Sequence, residues 1–210
     1  MPPSPGQVMT VPPSGTVAIW AAGPGNVAQT ILTPVGFAPA DIAFRTAAAY
    51  LVATVEVDQE ARAVYLGRVE TSYNKADVRL YVVLAAVGLS LGEVAICTGT
   101  PGIGGSQALT RVGWSDASAV FVGAGAATIT VTMTGVVAGD HLWLAWYQKH
   151  DGQQGSNLAT FDPATADHLT SCVAQFKAAT RLSTMASPTT FGIMANNTEP
   201  LWSVVGLRNV

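Results

Sequence analysis

The sequence predicts an all-β protein, a jelly-roll or β-sandwich that carries an extended proline-rich N-terminal arm. The segment Thr128–Thr134 alternates strictly between apolar residues and threonine, which is the two-residue period of a strand with one buried face. Other short segments rich in Val, Ile and Thr follow one another between clusters of Gly, Pro, Asn or Ser, as in sandwiches and barrels. Helical periodicity is weak, and Asp58–Gly67 is the segment expected to form two helical turns.

The chain divides into an arm and one domain. Residues 1–15 contain five prolines and no periodicity, which predicts an extended segment that becomes ordered only against another surface. Residues 16–210 are expected to form a single domain because no later linker interrupts them. In chain order, its expected strands are Val17–Ala21, Tyr50–Val57, Val78–Leu84, Glu93–Thr98, Leu109–Trp114, Thr128–Thr134, His141–Tyr147, Val173–Phe176 and Leu201–Leu207.

The expected strand His141–Tyr147 is apolar on both faces. One face carries Leu142, Leu144 and Trp146, and the other carries Trp143, Ala145 and Tyr147. A strand of this kind is covered on both sides, here by a second sheet and by something further. The sequence therefore predicts core packing for the first face and a subunit interface for Trp143, Ala145 and Tyr147.

Low charge is the main compositional signal. Only 11% of the residues are Asp, Glu, Lys or Arg, whereas 49% are hydrophobic and the net charge is -3. An ordinary globular domain has about 25% charged residues, so this chain is expected to cover its surface with other protein, as a homo-oligomer. The ten cationic residues are scattered from Arg45 to Arg208, which argues against nucleic acid as a partner.

Targeting and membrane signals are not evident. The N-terminal residues lack the basic and apolar regions of a secretory signal, which predicts a protein made in a cytoplasm. The uncharged stretch Ala117–Gly139 is interrupted by glycines and threonines, so no membrane span is expected there. Cys97 and Cys172 leave disulfide pairing open, with free buried thiols favoured.

Three features of the sequence are candidate sites of chemistry. Gly23–Ala28 matches a dinucleotide-binding fingerprint, but Pro34 and Gly36 leave no room for the long helix that must follow. Gly99–Ser106 resembles a phosphate-binding loop with glycine at the position of the essential lysine. The histidines, with Asp140 and Asp151 as neighbours, lack metal-ligand spacing; they are His141, His150 and His168. The sequence thus predicts no enzyme, no metal and no cofactor.

Two resemblances point to a class of protein. The segment Thr134–Tyr147 resembles the penultimate hairpins of jelly-roll domains of the C1q and tumour-necrosis-factor type. The whole chain, with segments such as Leu109–Asp116, is similar in composition to bacteriophage virion proteins. These resemblances imply a trimeric virion structural protein, most simply a capsid decoration or cement protein that binds the major capsid protein or other virion subunits.

The resemblance also assigns a role to the arm and leaves two alternatives open. The arm would dock on the capsid lattice through Pro2, Pro3, Pro5, Pro12 and Pro13. A tail or fibre component that contacts the host is the alternative within the same class. A carbohydrate-binding module is the alternative of another class, with Trp143, Trp146 or Tyr147 stacking on sugar faces.

Overall fold

The computed structural model of the protein describes residues 18–20, 29–33, 51–101, 106–161, 175–178, 182–187, 189–195 and 201–210. These residues form thirteen strands and one short helix, and every pair of strands is antiparallel. The prediction of an all-β sandwich is confirmed. The predicted arm, residues 1–15, lies outside the described residues, as do Gly23–Ala28, His168 and Cys172.

The elements are numbered in chain order. They are β1 (Ala18–Trp20), β2 (Gln29–Leu32), β3 (Leu51–Val55), β4 (Arg62–Arg68), β5 (Tyr73–Leu84), β6 (Val87–Thr98), β7 (Ser106–Asp116), α1 (Ser118–Phe121), β8 (Gly125–Val136), β9 (His141–Gln154), β10 (Asn157–Phe161), β11 (Gln175–Ala178), β12 (Thr190–Ala195) and β13 (Ser203–Arg208). Among the described residues, no helix is long and apolar enough to cross a bilayer.

The strands form an open sheet and a closed ring. The open sheet has the order β1-β2-β13-β5-β8, with β10 pairing with the end of β5 and β3 pairing with β10. The ring has the order β7-β12-β11-β4-β9-β6, and β6 pairs back with β7. One residue pair, Gly113 opposite Met133, joins the ring to the open sheet through β7 and β8.

The main core lies between the open sheet and one side of the ring. Side chains at alternate positions of β5 and β8 point into it. Val78 is paired with Ile129, and Ala76 is paired with Val131, so the buried faces of the two strands coincide. Leu142, Leu144 and Trp146 enter it from β9, as the alternation of the sequence predicts. The buried members from the neighbouring strands include Ala76, Val78, Leu80, Val82, Val94, Ile96, Ile129, Val131 and Met133.

A second core fills the inside of the ring. Its largest members are Trp143 and Tyr147 of β9, and residues 182–187 contribute Leu182 and Met185. Small side chains from β4 and β6 make room for the two aromatic rings, which fits the close packing of protein interiors. The other buried members are Ala61, Ala63, Ala95, Cys97, Leu109, Ala145, Phe191 and Ile193.

The prediction of a helix over Asp58–Gly67 is wrong. The chain turns at Gln59, whose φ is 58°, and then runs as strand β4. The sequence of β4 alternates between residues for the ring interior, such as Ala63, and residues for the main core, such as Val64 and Leu66. Pairing with both β9 and β11 outweighs the weak helical propensity of the segment.

Candidate functional site

The predicted subunit-interface residues lie inside the ring. Trp143, Ala145 and Tyr147 are completely buried by their own chain. Trp143 Nε1 donates to the Gly99 carbonyl at 2.6 Å, and the Tyr147 hydroxyl donates to the Leu182 carbonyl at 2.8 Å. Burial raises the pKa of Tyr147 to about 12, with the Glu93 carboxylate adding to the shift.

This burial corrects the sequence interpretation of the second apolar face of β9. The second apolar face of β9 is covered by the far side of the ring and by residues 182–187 of the same chain. A subunit interface at these three residues does not fit such burial. Trp146 is buried as well, so none of the three aromatic rings proposed for a carbohydrate-binding module is open to a sugar.

His141 and His150 are the histidines that the structure describes. The His141 Nδ1 atom shares a hydrogen bond of 2.6 Å with the Tyr65 hydroxyl. The His150 backbone N–H donates to the Asp58 carboxylate at 2.9 Å. Within the described ranges, no group of three His, Cys, Asp or Glu side chains is arranged to hold a metal ion.

Two buried carboxylates, which the sequence analysis missed, hold distant segments together. Glu93 accepts hydrogen bonds from Trp114 Nε1, Thr184 Oγ1 and the Met185 backbone N–H at 2.5–2.9 Å. Three donors compensate the burial of its charge, so Glu93 fastens residues 182–187 to the ring. The pattern of apolar residues in the sequence does not reveal the role of Glu93. Two of its three hydrogen-bond donors, in Thr184 and Met185, lie more than ninety positions away along the chain.

Glu56 is the second buried carboxylate. Its Oε2 accepts a hydrogen bond from Trp146 Nε1 at 2.9 Å, and its Oε1 lies 3.6 Å from Nη1 of Arg62. Glu60 also pairs with Arg62, at 3.2 Å. Burial outweighs the nearby guanidinium and raises the pKa of Glu56 to about 7.

The outward face of the open sheet is polar at one end. Asp77 accepts hydrogen bonds from Gln29, Thr130 and Arg208, each at 2.7–2.8 Å. The Arg208 guanidinium lowers the pKa of Asp77, so this carboxylate is charged in the folded protein. Lys75 and Arg79 occupy the same face of β5, and exposed threonines line β8 beside them.

Exposed large apolar side chains lie at the other end of β5 and in the segments next to it. We call this surface the apolar end; it consists of Tyr81, Val83, Leu84, Val87 and Val122. Their exposed fractions range from 39% to 51%. Tyr81 and Val83 lie on the outward face of β5, Leu84 ends β5 on the opposite face, and Val87 opens β6. The Ala86 N–H bond to the Phe121 carbonyl brings Val122 close to the start of β6.

A polar hollow of about 280 Å³ lies where β6 ends and where the β8–β9 turn leads into β9. We call it the threonine hollow; its polar lining residues include Thr98, Thr100, Thr110, Asp140 and His141. Asp140 and His141 are two of the four residues that the sequence analysis considered as metal ligands, with His150 and Asp151. The threonines were missed, because a hydroxyl at a strand end has no distinguishing pattern in the sequence.

Comparison of the chain with protein-family models, with curated proteins and with solved structures found no match. The proposals below therefore depend on the composition of the chain and on the geometry of its described residues.

Proposed function

We propose that this chain is a structural subunit of a bacteriophage virion, specifically a capsid decoration or cement protein that assembles as a homotrimer. The observation that supports it best is the apolar end, five exposed large apolar side chains on a protein with few charges. Exposed apolar patches on a protein surface mark sites where another molecule binds. In this proposal, the apolar end takes the place of Trp143, Ala145 and Tyr147 as the contact between copies.

The sequence around the apolar end supports a role in protein contact. Residues 80–92 and 117–139 contain no Asp, Glu, Lys or Arg, and the fold brings parts of both segments to this end of the open sheet. Charge depletion at the centre of an interface is the compositional feature that distinguishes subunit contacts from other surfaces. By contrast, Lys75, Asp77 and Arg79 precede Tyr81 and Val83 on the same face of β5 and provide a charged rim.

The N-terminal arm would supply the contact with the shell. Residues 1–40 contain no Asp, Glu, Lys or Arg, and Pro2, Pro3, Pro5, Pro12 and Pro13 favour an extended backbone. A proline-rich segment loses little conformational entropy when it binds, which suits a strap laid over the major capsid protein. Each bound copy would stabilise the assembled shell by mass action, because it binds the assembled state in preference to free subunits.

Counting copies of the chain in purified particles tests the proposal. Quantitative mass spectrometry of virions from an infected culture is expected to give hundreds of copies per particle, as a shell decoration requires. A handful of copies would favour the alternative, a tail or fibre component that contacts the host. A chain that is absent from purified virions would contradict both.

A further inference from the structure

We propose that the threonine hollow binds a neutral polyhydroxylated ligand, a single sugar residue of a glycan. This site is separate from the apolar end, and it involves none of the aromatic residues that the sequence analysis considered for sugar binding. A volume of about 280 Å³ is near the lower limit of small-molecule pockets and accommodates one sugar ring.

The hollow offers both kinds of hydrogen-bonding group that a sugar hydroxyl needs. Thr98, Thr100 and Thr110 are among its lining residues. The Thr98 hydroxyl donates to the Thr110 carbonyl at 3.4 Å, and the Thr110 hydroxyl shares a hydrogen bond of 3.4 Å with the Thr190 hydroxyl. A hydroxyl oxygen accepts twice, so these two retain acceptor capacity for a ligand hydroxyl, and Thr100 adds a third hydroxyl. Asp140 uses one carboxylate oxygen, Oδ2, to accept from the Val137 N–H at 2.9 Å. Its Oδ1 has no partner among the residues that the structure describes, so a ligand hydroxyl can donate to it.

The imidazole of His141 is oriented before any ligand binds. Its Nδ1 shares a hydrogen bond with the Tyr65 hydroxyl at 2.6 Å, and the two rings lie 5.8 Å apart at an angle of 30°. Nε2 is therefore the nitrogen left for a ligand, and it has no partner within the described ranges. A histidine fixed in this way contributes a directional hydrogen bond at little entropic cost.

The backbone walls of the hollow are also held in place. Gly99 donates its N–H to the His141 carbonyl at 3.1 Å and accepts from Trp143 Nε1 at 2.6 Å. The Gly139 N–H donates to the Val69 carbonyl at 2.8 Å, and the Gly139 carbonyl accepts from Arg68 Nε at 3.1 Å. Both walls are thus fixed by strands of the ring, which is the preorganisation that a weak ligand needs.

The charges at the hollow favour a neutral ligand over an ion. Asp140 is the one carboxylate among the described residues of the lining, and the Arg68 guanidinium lies against Gly139 beside it. A calcium ion prefers several carboxylate oxygens and would be repelled by this guanidinium. An anion would be repelled by Asp140. Hydroxyl groups that donate to the carboxylate and accept from threonine fit both constraints.

Saturation-transfer difference NMR on the full chain tests this proposal, with glucose, galactose and N-acetylglucosamine as the probes. At least one probe is expected to bind with a Kd of about 1 mM, as befits a shallow polar site. Thr110→Val and Asp140→Asn are each expected to weaken that binding tenfold or more. Thr132→Val removes an exposed threonine hydroxyl from β8, away from the hollow, and serves as the matched control with unchanged binding.

Three outcomes would overturn the proposal. The first is the lack of saturation transfer to any of the three sugars. The second is binding that Thr110→Val and Asp140→Asn leave intact while their thermal midpoints match the wild type. The third is a calcium-dependent rise in the thermal midpoint that Asp140→Asn abolishes, because the hollow would then be a cation site.

Discussion

Protonation of Glu56 is coupled to folding near neutral pH. Its pKa is raised from 4.5 to about 7, because burial disfavours the charged form more than Arg62 and Trp146 favour it. The folded state therefore holds this proton more tightly than the unfolded chain does. The resulting stabilisation is fully present below pH 4.5 and is lost as the pH rises through about 7.

Glu56→Gln removes this titration and keeps an oxygen that accepts from Trp146. At pH 4.5 the wild type and the variant are expected to unfold with similar free energies. At pH 8 the variant is expected to be relatively more stable by about 3 kcal/mol, since the wild type must then bury a charge. Urea denaturation at both pH values measures the difference, and a difference that is equal at the two values would contradict this account.

Trp143 and Trp146 are expected to be equally important for folding, although they occupy opposite faces of β9. Trp143→Ala and Trp146→Ala should each lower the free energy of unfolding by about 3–5 kcal/mol, as truncation of a buried aromatic side chain does. Urea denaturation followed by circular dichroism measures both losses. If Trp143→Ala unfolds at the wild-type midpoint but loses self-association, the ring interior has been misassigned.

At the scale of single residues, the sequence predicted which β9 side chains share a face but not what covers each face. Alternation alone separates Trp143 from Trp146. The core that encloses Trp143 includes Met185 and Phe191, which are more than forty positions further along the chain. Because that contact depends on closure of the ring, local patterning could not distinguish an internal core from a subunit contact.

At the scale of elements, strands with a clear period were predicted and strands with an interrupted one were missed. β8 and the first half of β9 match the expected segments, since threonine alternates with apolar residues in one and aromatic residues fill the other. β12 was missed because Gly192 interrupts a short segment whose partner, β7, lies about eighty positions earlier. The segment of β4 was predicted to be helical because the strand that pairs with it, β9, is distant in sequence and leaves no local signal.

Gly113 is expected to be important for the stability of the fold where β7 meets β8. A Cβ atom there would lie 2.7 Å from the Thr132 carbonyl oxygen and 2.8 Å from a Val131 methyl group. Gly113→Ala should therefore reduce the free energy of unfolding by about 1–3 kcal/mol, because backbone must move to relieve the overlap. Thermal unfolding measures this loss.

Gly123→Ala is the matched control, since the nearest atoms to its Cβ would be 3.7 Å and 3.9 Å away. Its effect on the free energy of unfolding is expected to be about 0.5 kcal/mol or less. Equal effects of the two substitutions would show that β7 and β8 do not approach each other as closely as described.

At the scale of the whole molecule, composition predicted a protein surface that is poor in charge but could not locate it. The outward face of β5 passes from Lys75, Asp77 and Arg79 to Tyr81 and Val83 within ten residues. The apolar part becomes a surface patch only when α1 and the start of β6 are added to it by the fold. Such a combination of three elements has no signature in any one segment of the sequence.

Deletion of residues 1–15 tests the proposed role of the arm. The truncated chain is expected to unfold at nearly the wild-type temperature, because residues 1–15 are rich in proline and have few large apolar side chains to contribute to a core. Its attachment to capsids that lack the chain is expected to be weaker in a co-sedimentation assay. A truncated chain that fails to fold would instead show that this segment is part of the domain.

Sedimentation equilibrium tests most directly the claim that the chain assembles through its apolar end. At micromolar concentration, the wild type should have three times the chain mass of 21.6 kDa. Val83→Glu places a charge in the apolar end and should give monomers, whereas Val137→Glu, at a valine of similar exposure in the β8–β9 turn, should remain trimeric. A monomeric wild type, or a Val83→Glu variant that assembles as the wild type does, would contradict the account.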